Sequence, residues 1–171
     1  MQLLLDKDKT LAEKYIEKAK ILAKKATCKR AKCGAVLVKD GEIIGEGFNS
    51  PPGNDENERR CEIKKDEFDK KVTDKTCCVH AEQRAVMDAL HNNLDKIKGS
   101  KLYFARFYPD GELRLNGGNG GKNQLYCTVC TKIMFDVGIA EFILPNVKGI
   151  AAYAKNEYLS RSYDYGKYAG K

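Results

Sequence analysis

The strongest constraint on the fold of this 171-residue chain comes from two short motifs that lie far apart in the sequence. The first is His80-Ala81-Glu82, and the second is Cys127-Thr128-Val129-Cys130. An imidazole and two thiolates suit Zn²⁺, and three protein ligands leave the fourth tetrahedral position for water. A fold that joins the two motifs would therefore hold an open zinc site, with Glu82 available to handle protons beside it.

Both motifs lie where the sequence predicts the start of a helix. Small and apolar residues follow His80 at helical spacing, and residues 128–137 show the same pattern before Gly138, a C-terminal cap. The positive end of a helix stabilises thiolates, and cysteines three residues apart face the same way. Two such helices side by side on a sheet would bring the ligands together, which favours metal-assisted hydrolysis. A closed zinc site that included Cys77 and Cys78 is the structural alternative, but it leaves Glu82 without a role.

The rest of the pattern alternates strands with helices. Residues 10–25 have helical periodicity, and the capping box from Thr10 to Glu13 predicts where that helix begins. Strands are predicted at residues 34–38, 42–48, 101–107 and 139–144, with Asp40-Gly41 as a turn and Pro145 as a stop. This order predicts an α/β sandwich formed by one domain over residues 1–171.

Two segments do not fit the alternation. Residues 54–76 are charged and poor in apolar side chains, so we expect a long excursion from the sheet. Residues 108–125 form an insertion in which Asp110-Gly111 could reverse the chain, and residues 116–121 are a glycine-rich loop. No helix follows that loop directly, so it does not match a phosphate-binding fingerprint.

The composition favours a soluble protein. Hydrophobic residues make up 42% and charged residues 32%, and no apolar run approaches the ~20 residues that cross a bilayer. The first residues reach an acid too soon for a signal peptide, so we expect a cytoplasmic protein without membrane contact. A net charge of +7 is compatible with a phosphate-bearing substrate or with nucleic acid, although lysines and acids intermix along the chain.

Three segments together resemble the cytidine/deoxycytidylate deaminase superfamily, in its dCMP deaminase-like branch. They are residues 33–52, which end in Phe48-Asn49-Ser50-Pro51-Pro52, residues 80–86, and Cys127 to Cys130. The resemblance implies a three-layer α/β/α sandwich with a mixed five-stranded sheet, and a homo-oligomer. It assigns one catalytic zinc to His80, Cys127 and Cys130, proton transfer to Glu82, and substrate binding to Asn49 and Ala81. Asn49 also has a simpler interpretation, as a turn residue before two prolines.

The resulting hypothesis is hydrolytic deamination of a cytosine nucleotide, with dCMP converted to dUMP. Water on the zinc attacks C4, while Glu82 moves protons to the ring nitrogen and to the leaving amine. Lys29, Arg30 and Lys32 are candidates for holding a 5′-phosphate. The alternatives are a deaminase acting on a base in tRNA or single-stranded nucleic acid, one acting on a pyrimidine intermediate of riboflavin synthesis, and a non-catalytic zinc-stabilised binding module.

The remaining cysteines suggest a second, structural zinc. Some dCMP deaminases carry one that ties the segment before the first strand to the excursion, and Cys28 and Cys61 lie in corresponding places. Cys77 or Cys78 could complete it, which would explain how a charged segment becomes ordered. Ordinary reduced cysteines are the alternative.

Overall fold

A computed structural model describes residues 1–72, 74–117 and 127–163. Its centre is a six-stranded sheet in the order β1-β6-β5-β4-β2-β3. The strands are β1 Gln2–Leu3, β2 Lys32–Lys39, β3 Glu42–Phe48, β4 Lys101–Phe107, β5 Glu141–Asn146 and β6 Gly149–Ala154. The helices are α1 Asp6–Lys24, α2 Ala81–Asn92, α3 Thr128–Asp136 and α4 Lys155–Tyr163. Short 3₁₀ helices span Pro52–Asn54, Glu56–Glu58 and Leu94–Lys96.

The α/β/α class is confirmed, but the expected count of five strands is wrong by one. The additional strand is β1, whose two residues pair antiparallel with β6 at the sheet edge. The sheet is mixed because β4 and β5 run parallel, whereas the other neighbouring strands are antiparallel. The parallel step requires a crossover, and α3 lies within it.

Both faces of the sheet are covered, so the central strands are buried on both sides. Val36 and Val38 of β2 join the cluster under α1, together with Tyr15 and Tyr103. Alternate residues of the same strands face the other cluster, which contains residues of α2, α3 and α4. Tyr158 of α4 stacks on Phe142 with ring centroids 3.9 Å apart, so the described part of the tail packs on the sheet.

Two glycines of β3 set the position of α2. A Cβ atom added to Gly47 would lie 2.1 Å from the carbonyl oxygen of Ala81, and one added to Gly45 would lie 2.3 Å from that of Ala85. These approaches are closer than any side chain allows, so the helix rests directly on the strand backbone. The first turn of α2 is therefore held against β3.

Some boundaries differ from the sequence expectations. The first helix begins at Asp6, one turn before the predicted capping box, and the hydroxyl of Thr10 donates to the carbonyl of Asp6. Pro145 lies inside β5, opposite Ile150, instead of ending the strand. Pro145 lies beyond Ile143, where the pairing of β5 with β4 ends, and its carbonyl accepts a hydrogen bond from the backbone N–H of Asn116.

The excursion at 54–76 contains only turns and 3₁₀ helix in its described residues, as its composition indicates. In the insertion, residues 108–117 are described and residues 118–125 lie outside the described part, as does Tyr126. None of the helices in the described ranges is long and apolar enough to cross a membrane.

Candidate metal centre and its cavity

His80 and Glu82 are positioned by the start of α2. His80 is the N-cap residue in an extended conformation, and its backbone N–H donates to Oε1 of Gln83 at 2.9 Å. This half of a capping box fixes the entry of the chain into the helix. Ala81 and Glu82 form the first turn, and both are buried. The short spacing of the motif thus places the imidazole and the carboxyl group at one helix end.

Cys127 and Cys130 are positioned by the start of α3. Cys127 is its N-cap and adopts a left-handed conformation with φ of 66°, which is strained for a residue with a side chain. Its Sγ accepts a hydrogen bond from the backbone N–H of Cys130. The turn therefore points both sulfur atoms the same way, and the strain is of the kind found at functional sites.

The starts of α2 and α3 converge on the face of the sheet opposite α1. Nδ1 of His80 lies 3.1 Å from Sγ of Cys130, and the two sulfur atoms are 3.1 Å apart. Together His80, Cys127 and Cys130 offer one nitrogen and two sulfur ligands within 4.8 Å of one another. This donor set fits Zn²⁺ and leaves one tetrahedral position without a protein ligand among the three.

The charges within this group suit metal binding. Hydrogen bonds from Cys130 and His80 hold the pKa of Cys127 well below its usual range despite burial. A hydrogen bond to Cys127 raises the pKa of His80 to about 9, although burial opposes the shift. The lowered pKa of Cys127 favours its thiolate, which is the form that binds metal. Metal binding also requires neutral imidazole, so it would displace a proton from protonated His80.

Glu82 does not belong to this ligand group, but it lies in the same environment. Its side chain is buried, and burial raises its pKa, while the positive charge of His80 acts in the opposite direction. A buried carboxyl group whose pKa is raised holds a proton more readily, which suits a group that accepts and returns one. The geometry therefore separates a group that can hold a metal from an adjacent acid.

A cavity of about 520 Å³ opens beside these residues. Its wall includes His80, Ala81, Glu82 and Cys127, and also Asn49 at the end of β3. The volume falls within the range of small-molecule sites, ~300–1,000 Å³. The positions singled out in the sequence for metal, acid and substrate thus border one space.

Asn49 has a structural task as well. Its Oδ1 accepts a hydrogen bond from the backbone N–H of Cys33 at 2.7 Å, and its Nδ2 donates to the carbonyl of Ala31 at 2.9 Å. These bonds fasten the start of β2 to the end of β3. An amide group can form further hydrogen bonds, so one Nδ2 hydrogen is left for a ligand.

A second group of cysteines lines the same cavity. Cys61, Cys77 and Cys78 bring their sulfur atoms within 4.8 Å of one another, and Cys28 lines the same cavity. Burial is the main cause of the raised pKa of Cys78, and Cys28 adds to it through charge and hydrogen bonding. Cys28 is therefore close to the group, although it lies outside the 4.8 Å set.

Hydrogen bonds to sulfur surround this second group. Nη1 of Arg59 donates to Sγ of Cys61 at 3.4 Å, and the backbone N–H of Arg60 donates to Sγ of Cys77 at 2.9 Å. Burial would raise the pKa of Cys61, but the hydrogen bonds from Arg59 and Cys77 outweigh it and lower the pKa. Thiolate is the form that binds metal.

The three basic residues singled out before β2 as phosphate ligands do not all line the cavity. Lys29 is exposed and pairs with Glu62 at 2.5 Å, and Lys32 is exposed at the start of β2. Only Arg30 lines the cavity. The sequence interpretation missed Arg106 and Arg114, which do line it. For Arg106 the sequence signal was strand alternation, which places this residue on the same face as Leu102 and Phe104. Arg114 lies outside that predicted strand.

The comparisons with known proteins agree with this site. The sequence model described as the cytidine and deoxycytidylate deaminase zinc-binding region matches residues 9–145. No curated protein matches the chain.

Among solved structures, the fold is similar to dCMP deaminase from the cyanophage S-TIM5. In its complex with dCMP and dUMP, the identity is 22%, the TM-score is 0.55, and the match covers 84% of this chain and 85% of the phage protein. For the apo form the TM-score is 0.51, again at 22% identity, with 80% and 83% covered. Because the family match includes both helix starts that carry the ligands, the chain belongs to the cytidine and deoxycytidylate deaminase family.

Proposed function

We propose that this protein is a zinc-dependent hydrolase that deaminates a cytosine nucleotide, converting dCMP to dUMP. The observation that carries the proposal is the convergence of His80, Cys127 and Cys130 next to a cavity whose wall includes His80, Cys127 and the buried residue Glu82. A closed structural zinc site would need a fourth protein ligand and would leave this acid unused. The phage protein of similar fold was solved with the same two nucleotides.

The residues divide the chemistry between them. His80, Cys127 and Cys130 would hold the zinc ion, which when bound supplies a water molecule of lowered pKa, about 7. Glu82 accepts a proton from the attacking water and delivers it to the ring nitrogen. It then takes the proton of the new C4 hydroxyl group and passes it to the amine, which leaves as ammonia while the C4 carbonyl forms. The balanced reaction consumes one water and releases one ammonia. Burial raises the pKa of Glu82, which favours this shuttle.

Asn49 and the first turn of α2 would orient the substrate. Asn49 is held rigidly by Cys33 and Ala31, so its remaining N–H is directed without a large loss of side-chain entropy. Ala81 is buried at the helix start and borders the cavity, so its backbone is available to the base.

The test is ammonia release from CMP, dCMP, cytidine, dCTP and tRNA, with zinc content measured on the same sample. We expect dCMP to be the best substrate. Glu82→Gln keeps the size and polarity of the side chain but removes the proton shuttle, and should lower turnover by about 10²–10⁴-fold. The matched control is Glu13→Gln, an exposed position on α1 whose carboxylate pairs with Lys9.

Two results would contradict the proposal. One is near-full turnover by the zinc-loaded Glu82→Gln variant. The other is activity on tRNA with none on free nucleotides, which would select the nucleic-acid alternative. Cobalt spectra showing four sulfur or nitrogen ligands, without ammonia release, would instead favour a binding module.

We also propose that Cys28, Cys61, Cys77 and Cys78 hold a second, structural zinc. Its support is the sulfur group at Cys61, Cys77 and Cys78, together with the proximity of Cys28. Such a site would attach the excursion at 54–76 to the helix that carries His80. Metal analysis should find two zinc ions per chain, and Cys61→Ser and Cys127→Ser should each remove one. One zinc ion in the wild-type protein would refute the second site.

A further inference from the structure

The first part of the insertion folds back along β4. The backbone N–H of Tyr108 donates to the carbonyl of Glu112 at 2.9 Å, and Phe107 pairs with Leu113 in an antiparallel bridge. Further on, Asn116 donates to the carbonyl of Pro145 at 3.0 Å. Residues 108–116 are therefore fixed onto the ends of β4 and β5, next to the cavity.

This reversal places two arginines opposite each other. The backbone N–H of Arg114 donates to the carbonyl of Arg106 at 2.8 Å, as the antiparallel bridge beside it requires. Residues directly opposite in an antiparallel pair present their side chains on the same face. Arg106 and Arg114 are both half-buried, and both line the cavity that contains Glu82.

Their charges act on the site. Burial dominates the raised pKa of Cys33, and the positive charges of Arg106 and Arg114 both oppose it. Cys33 lies opposite Arg106 in the β2–β4 register. The two guanidinium groups are therefore close enough to Cys33, which lines the same cavity, to affect its pKa.

Guanidinium groups bind phosphate through two parallel N–H bonds, and such charge-assisted pairs are strong and specific in geometry. Two arginines on one face of a cavity are therefore suited to a phosphate group.

Arg30, Arg60 and Lys75 also line the cavity, and each contacts a residue of the excursion. Nη2 of Arg60 pairs with Glu58 at 2.7 Å, and Nζ of Lys75 donates to the carbonyl of Lys65 at 2.9 Å. Arg30 donates to the carbonyl of Cys61 at 3.4 Å. The first two contacts lie within residues 54–76, and the third joins that excursion to the segment before β2.

We propose that Arg106 and Arg114 together bind the phosphate of the nucleotide substrate, so that residues 108–116 determine the preference for nucleotide over nucleoside. The assignment rests on the proposed deaminase function. It assigns phosphate binding to the described part of the insertion and to the end of β4. It does not assign phosphate binding to Lys29 and Lys32.

The test compares kcat/KM for dCMP and for deoxycytidine in Arg106→Gln, Arg114→Gln and the double variant, each loaded with zinc. Loss of one charged hydrogen-bonding partner should lower the dCMP-to-deoxycytidine ratio by about 10–100-fold, chiefly through KM for dCMP. Arg161→Gln is the matched control, because Arg161 is an exposed arginine that pairs with Glu157 on α4. It should keep the wild-type ratio. Arg106→Lys and thermal melting of every variant separate loss of binding from loss of fold.

The outcomes distinguish this inference from the function on which it rests. If both substrates lose turnover equally in the variants, the arginines act through Glu82 or the fold, and the phosphate assignment is overturned while the deaminase stands. If the wild-type protein turns over neither substrate, the deaminase proposal fails. The assignment is then decided by calorimetry, which measures the affinities for dCMP and for deoxycytidine. If the ratio of these two affinities is the same in the variants as in wild type, the phosphate assignment is overturned.

Discussion

Replacing Gly47 with alanine is the most direct test of how the fold positions the proposed acid. The added Cβ would lie 2.1 Å from the carbonyl oxygen of Ala81 and 2.6 Å from the backbone nitrogen of Ala85. Both neighbours are backbone atoms, so no side chain can rotate away. Ordinary contact begins at 3.4 Å, so the first turn of α2 must retreat by about 1.3 Å, the difference between 3.4 and 2.1 Å.

That displacement sets the size of the expected effect. Glu82 follows Ala81 in the same turn and would move with it, relative to Cys127 and Cys130 on α3. A misplacement of roughly 1 Å costs on the order of 10²-fold in rate. Overpacking of a filled interior costs about 1–3 kcal/mol of unfolding free energy. We therefore expect Gly47→Ala to fold with reduced stability and to lose about 100-fold in turnover.

The assay is steady-state ammonia release from dCMP together with urea unfolding, with zinc content held equal. Gly45→Ala is the matched control, since its Cβ would meet the carbonyl of Ala85 at 2.3 Å, one turn further from Glu82. It should cost similar stability but less activity. Wild-type turnover and stability in Gly47→Ala would refute the reasoning, because the helix would not then rest on the strand backbone.

Three further outcomes are expected. Asn49→Ala leaves the buried N–H of Cys33 and the carbonyl of Ala31 without their partner, so urea unfolding should show a loss of at least ~2 kcal/mol; a change near zero would contradict this. Burial raises the pKa of Tyr103 to about 12 from 10.0, so its stabilising contribution is complete below pH 10 and is lost as pH rises towards 12. Tyr103→Phe should therefore lose less stability than wild type between about pH 10 and about pH 12, and parallel curves would count against the shift. Removing metal with a chelator should lower the melting temperature, and adding zinc should restore it. The restored stabilisation is about 2.7 kcal/mol of unfolding free energy when free zinc is 100 times its Kd. An unchanged melting temperature after verified metal loss would contradict zinc binding to the folded protein at His80, Cys127 and Cys130.

The success of the sequence interpretation has a physical basis in local patterns. The period of apolar residues predicts β2, β3, β4 and three of the helices, because burial of one face is encoded residue by residue. It failed at Pro145, since strand membership there depends on partners from β6 and from Asn116. It also placed the start of α1 one turn late, because a capping box within a helix looks the same as one at its end.

The chemistry of the candidate site could be predicted from residue types alone. One imidazole, two thiolates three residues apart and a nearby acid define what metal they suit and which group can move a proton. Their placement at helix starts follows from short-range sequence. Both predictions can be made without knowing which helices and strands are adjacent in the fold.

The sequence by itself therefore predicted the types of the candidate ligands, the candidate acid and the α/β alternation. The tertiary structure decided which residues share the cavity with them. It brought Cys61, Cys77 and Cys78 together, engaged Asn49 with the start of β2, and placed Arg114 opposite Arg106 through a chain reversal. The reason is that local spacing encodes helices and strands, whereas contacts between distant segments depend on register and packing, which one-dimensional patterns do not contain.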